Sequence, residues 1–223
     1  MWICRRTLLL ALLAPPLAGC ATGYAPQAPA AVSLAGTWKL DRAASDDPQR
    51  LLERMRAQAR KIIERQRAAY AAAVRPGAPE PPPPGPMESE AASGRDPLRR
   101  SYMAHIIQEA VARGDYLTIR QTPDSFVLDY GTSVRSFTPG ARSVVSAEGG
   151  VGDQSSGWKG REYVITVRAQ VGPTVTETYA LTSDHRHLIE RLSIGSAELP
   201  AVTLMRQYAP SSETLPRAPP TTD

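Results

Sequence analysis

Few residues in this sequence have types and spacing suited to chemistry, and two glutamates lead them. At period-two spacing Glu177 shares a strand face with Val175, Tyr179 and Leu181, and Glu190 shares one with Leu188, Leu192 and Ile194. A turn at Ser183-Asp184-His185 makes the two strands hairpin neighbours. Two inward carboxylates within reach of each other raise one pKa and can serve as an acid and base pair. In the plainer arrangement each pairs with an inward arginine, or faces solvent past a bulge. His185 and His187 would share one side of an extended strand, as metal ligands do, yet they fall where the hairpin must turn. His105 lies on a helix among hydrophobic neighbours, and Ser155-Ser156 has no credible base. No HExxH, GxSxG, phosphate-binding or dinucleotide-binding loop occurs. The reading therefore assigns no catalytic residue, metal or cofactor.

The elements that would position these residues are mostly strands. After Gly114 the hydrophobic period falls from about 3.6 to 2. YLTIRQTPDSFVLDYG reads as a hairpin, Val134 to Thr138 and Arg142 to Ala147 as strands, and EGGVGDQSSG (148–157) as a loop. WKGREYVITVRAQ, TVTETYALT, RHLIERLSI and LPAVTLMRQYA follow, with Thr37 to Asp41 in front. The expectation is a mainly β fold, an antiparallel meander of eight or nine strands. Two helices interrupt it between strands one and two. The first is capped by Asp46-Asp47-Pro48 and carries Leu51, Leu52, Met55, Ala59, Ile62 and Ile63 on one face. Its other face bears Arg50, Arg54, Arg56, Arg60, Lys61, Arg65 and Arg67. That face suits anionic headgroups or acidic polymers, or is simply solvated. The second helix starts at Asp96-Pro97 and stops at Gly114.

The 21 prolines divide the rest of the chain. Residues 20–32 read as a Pro/Ala tether that can hold a domain some tens of Å from its attachment. Residues 33–209 form the β domain, with a helical insertion at 46–113 that contains a Pro-rich linker at 75–95. Residues 210–223 read as a disordered tail. Residues 1–19 have a basic start (Arg5, Arg6) and an apolar run too short to span a bilayer, the pattern of an export signal. Its loss leaves 24 basic against 22 acidic residues, too little excess to argue for nucleic acid. Of Cys4 and Cys20, only Cys20 then remains, so no internal disulfide can form.

Leu17-Ala18-Gly19-Cys20 resembles the lipobox of bacterial lipoproteins. The resemblance implies cleavage before Cys20, acylation of its sulfur and amino group, and attachment to a membrane. Ala21, standing where an aspartate favours inner-membrane retention, points to the outer membrane, with the domain facing the periplasm. Gly36-Thr37-Trp38 on the first strand and Arg206 on the last resemble the lipocalin and calycin arrangement. This implies a small barrel in which Arg206 stacks on the Trp38 indole, with a filled interior or a shallow cup. Three functions fit. One is a non-enzymatic lipoprotein binding a small apolar ligand or an envelope component, its pocket marked by Glu177, Tyr179 and Glu190. Another is a structural or assembly factor docking through the helical hairpin. The third is a weak hydrolase using Glu177 and Glu190.

Overall fold

The structure, a computed structural model, describes residues 23–73 and 85–213. The period-two stretches become ten antiparallel strands: β1 (Gly36–Asp41), β2 (Tyr116–Gln121), β3 (Phe126–Asp129), β4 (Val134–Phe137), β5 (Arg142–Ala147), β6 (Gly150–Lys159), β7 (Glu162–Ala169), β8 (Thr174–Leu181), β9 (Leu188–Gly195) and β10 (Val202–Pro210). Between β1 and β2 lie α1 (Pro48–Ala73), α2 (Pro86–Ala92) and α3 (Tyr102–Ala112). The sheet runs β4-β3-β2-β1-β10-β9-β8-β7-β6-β5. First and last strands pair, with Leu40 opposite Tyr208, so the sheet curls into a half-barrel whose two edges are β4 and β5. At one end of this seam the β4–β5 connection crosses it, Gly140 N–H donating to Ser156 O at 2.7 Å.

Two apolar clusters fill the curl. The end called here the base holds Trp38, Leu117, Ile119, Phe126, Leu128, Tyr130, Phe137, Trp158, Tyr163, Tyr179 and Tyr208. Phe126 stacks on Tyr163 at 3.6 Å between ring centroids, and Trp158 meets Tyr163 edge-on at 5.3 Å. At the opposite, helical end, Leu51, Leu52, Met55 and Ala59 of α1 and Met103, Ile106, Ile107 and Ala110 of α3 pack on Leu192, Ile194 and Leu204. The amphipathic stripes read from the sequence thus close one end of the barrel. Asp47 caps α1, accepting the Gln49 N–H at 2.8 Å, and Asp46 ties the helix to β10 by accepting the Met205 N–H at 2.7 Å.

Four expectations need correcting. The stretch expected as a loop at 148–157 belongs largely to β6, paired with β5 on one side and β7 on the other. Its glycines lower strand propensity, but Gly152 lies where a side chain would crowd Val167 and the Arg168 carbonyl. The linker expected at 75–95 ends in α2, which takes Pro86 at its start; residues 74–84 lie outside the described residues. α3 begins at Tyr102, because Asp96 turns the chain by accepting the Leu98 N–H at 3.0 Å while pairing with Arg56 at 2.7 Å. The tether expected at 20–32 is packed from Tyr24 onward. Ala25 exchanges two backbone hydrogen bonds with Trp158, each 2.8 Å, and Val32 and Leu34 join the base cluster.

Candidate functional site

A polar layer separates the two clusters, built from inward positions of strands that meet in register. Tyr179 faces Glu190, and Glu190 faces Arg206. The Tyr179 hydroxyl lies 2.9 Å from Glu177 Oε2 and 3.2 Å from Glu190 Oε1, donating to them, and accepts from the Tyr130 hydroxyl at 2.9 Å. Tyr208 donates to Glu190 Oε2 at 2.7 Å. Arg113 donates to Glu177 Oε1 at 3.1 Å and Arg135 to Glu177 Oε2 at 2.6 Å. Arg206 donates to the carbonyls of Ala110 and Gly114 at 3.0 and 2.6 Å, capping the end of α3, and sits 3.7 Å from Glu190. The sequence reading marked Glu177, Tyr179 and Glu190 as a pocket; their side chains meet in this layer, but Tyr179 and Glu190 are fully buried and only Glu177 lines the adjoining cavity.

The electrostatics separate the two readings of the glutamates. Burial pushes the Glu177 carboxyl up, but the Arg135 and Arg113 guanidiniums outweigh it and hold the group at about 2. The raised carboxyl pKa of the acid and base reading is therefore not found at Glu177; the plainer arrangement, pairing with inward arginines, is. Burial pushes the Tyr179 hydroxyl well above its ordinary value, with Glu177 and Glu190 adding to the effect, so it keeps its proton and stays a hydrogen-bond donor. In the layer the guanidiniums of Arg113, Arg135 and Arg206 thus lie against the carboxyl groups of Glu177 and Glu190.

The expected stack of Arg206 on Trp38 does not form. Trp38 lies opposite Pro210, four positions along β10 from Arg206, and its indole N–H donates to the Leu34 carbonyl at 3.1 Å. Arg206 sits over the Tyr208 ring instead, 5.4 Å from its centroid. His185 adopts the left-handed conformation at φ 59° in the β8–β9 turn and lies 3.2 Å from an Arg161 nitrogen, as its turn reading implies. The sequence reading missed Arg113 and Arg135. Arg135 was visible only as the residue two before inward Phe137, and Arg113 only as a cation at the end of α3.

Beside this layer lies a cavity of about 620 Å³ between α3 and the half-barrel, lined from both sides of the seam. Val145, Ala147, Val167, Ala169 and Val175 give it an apolar wall, Arg113, Arg135 and Glu177 give it a charged part, and Glu109 and Glu148 add two further carboxyl groups to its lining. That volume lies within the usual range of about 300–1,000 Å³ for small-molecule sites. Nη1 of Arg113 points away from the cavity into the layer, 3.6 Å from Glu190 Oε1 and without a hydrogen bond.

Ten antiparallel strands in a half-barrel, with a helical hairpin after the first strand, define a lipocalin-like fold. No protein-family model matches the chain, and no curated protein matches it in sequence. Among solved structures it is similar to apo lipid binding protein 8 of Caenorhabditis elegans, at 13% identity and a TM-score of 0.45, over 82% of this chain and 100% of that one. It is similar to a REP1-NXSQ fatty acid transporter at 14% identity and a TM-score of 0.41, over 81% and 97%. It is also similar to the zebrafish ileal bile acid-binding protein complexed with cholic acid, at 14% identity and a TM-score of 0.39, over 79% and 98%. The lipobox residues Leu17 to Cys20 lie outside the described residues.

Proposed function

We propose that the chain is a lipoprotein, anchored through Cys20 to the outer membrane and facing the periplasm, that carries a small amphiphile without transforming it. The cavity beside Arg113 and Arg135 carries the binding half of this reading. Its apolar wall suits a hydrocarbon or ring system, and its charged end suits an anionic head. The two carboxylates of the polar layer are already paired, Glu177 with Arg113 and Arg135 and Glu190 with Arg113 and Arg206, which leaves no free acid and base pair for catalysis. The anchoring half rests on the lipobox resemblance and on Ala21 after the cysteine.

The binding test compares an anionic probe, 1-anilinonaphthalene-8-sulfonate, with its neutral relative N-phenyl-1-naphthylamine. Saturable binding with at least a tenfold preference for the sulfonate is expected, and Ala169→Phe, which fills the cavity, should abolish it. Absence of saturable binding, or equal affinity for both probes, would overturn the reading. For the anchor, Cys20→Ser should move the protein from the membrane to the soluble fraction.

A further inference from the structure

Residues 24–35 cross the base of the half-barrel and are pinned along their length. Tyr24 hydrogen-bonds Thr166 at 2.7 Å, and Ala25 ladders with Trp158 where β5 no longer flanks β6. Gln121 accepts the Leu34 N–H at 2.9 Å and donates to the Val32 carbonyl at 3.1 Å, and Leu34 is fully buried. Two glycines make room for the crossing. A Cβ at Gly157 would stand 2.7 Å from the Ala25 carbonyl oxygen, and one at Gly140 would stand 2.9 Å from Pro26.

This pinning shortens the leash. If Cys20 bears the lipid, four residues separate it from Ala25, and the five residue-to-residue steps reach about 17 Å when fully extended. The domain cannot stand some tens of Å away. The base, where the pinned segment lies, is also the end opposite α1 and α3.

We infer that the base of the barrel is a membrane-contact surface, resting on headgroups of the leaflet that holds Cys20, while the helical end and the cavity mouth point away from the bilayer. This rests on the anchoring half of the proposed function. The exposed turn residues at the base mix Lys159, Arg161 and Arg186 with Asp124 and Asp184, so the contact comes from the short leash and not from charge. Ligand then exchanges on the side away from the anchoring leaflet. The basic face of α1, at the far end, does not touch that leaflet.

The test uses the lipidated mature protein on phosphatidylcholine vesicles containing a headgroup nitroxide lipid. A fluorophore is placed on a single introduced cysteine, Lys159→Cys at the base or Arg54→Cys on α1. Quenching several-fold stronger at the base is expected, with the same contrast at high salt and with added phosphatidylglycerol. Adding Gly157→Val, which expels the pinned segment, should shrink the contrast. Equal quenching, or stronger quenching at Arg54→Cys with either lipid, would overturn the inference. Flotation with the vesicles is scored separately: wild type that fails to float, or unlipidated Cys20→Ser that floats equally well, refutes the anchor itself. Flotation with equal quenching refutes only the orientation.

Discussion

The Tyr179 hydroxyl stands between two buried carboxylates, 2.9 Å from Glu177 and 3.2 Å from Glu190, and is their shared proton donor. Tyr179→Phe preserves the ring and its packing but leaves both oxygens short of a donor and the Tyr130 hydroxyl without its acceptor. Destabilisation of about 1–3 kcal/mol is expected, measured by denaturant unfolding. A change below a few tenths of a kcal/mol would mean the layer is not held together through this hydroxyl.

Glu177 is the buried counter-ion of two partly exposed guanidiniums. Glu177→Gln takes the carboxylate from Arg135 and leaves Arg113 facing Glu190 alone at 3.6 Å, for an expected loss of about 1–3 kcal/mol. Glu177→Gln combined with Arg135→Met is expected to recover part of that loss, since the double change removes the guanidinium that lost its carboxylate.

The same carboxylate sets a pH dependence. Its folded pKa lies at about 2, below the ordinary 4.5, so the folded state binds fewer protons than the unfolded one between those values. The stability it contributes is complete above about pH 4.5 and is lost as pH falls toward 2. Unfolding free energies measured over this window should decline steeply for wild type and less steeply for Glu177→Gln. Parallel curves would mean that another carboxylate dominates acid unfolding.

Arg206 caps α3 from inside the barrel, tying the Ala110 and Gly114 carbonyls to the β10 side of the sheet. Arg206→Met should loosen the end of α3, seen as faster amide exchange across Tyr102–Ala112 than in β6 and β7. Uniform acceleration everywhere would mean the arginine serves global stability alone.

Gly157 admits the segment that covers the base. Gly157→Val should overpack that crossing, destabilise the protein by about 1–3 kcal/mol and expose residues 24–35 to proteolysis. Unchanged resistance at those residues would show that the segment is not held by the contact at Gly157.

Much of the architecture was legible in local pattern. Alternation in TVTETYALT and RHLIERLSI placed Glu177, Tyr179 and Glu190 inward on neighbouring strands, because a strand's side-chain period is two and its hairpin turn fixes which strand comes next. The Asp47 cap of α1 and the apolar stripes of α1 and α3 were legible for the same reason, since helical faces follow a short fixed spacing, although Asp96 does not cap α3. EGGVGDQSSG was misread because its strand character comes from neighbours on both sides and not from its own composition. The tether was misread because a Pro/Ala stretch carries no mark of the surface that will receive it.

By itself the sequence determined the alternation of faces and the helical insertion after the first strand, both of which are encoded within a few residues. Only the tertiary structure decided that Arg113 and Arg135, one from a helix end and one from an edge strand, converge on Glu177 and depress its carboxyl. It alone moved Arg206 from Trp38 to the end of α3 and laid residues 24–35 across the base. Each of these depends on how β1 pairs with β10 and how far the sheet then curls to bring β4 toward β5, relations between distant segments that no local pattern specifies.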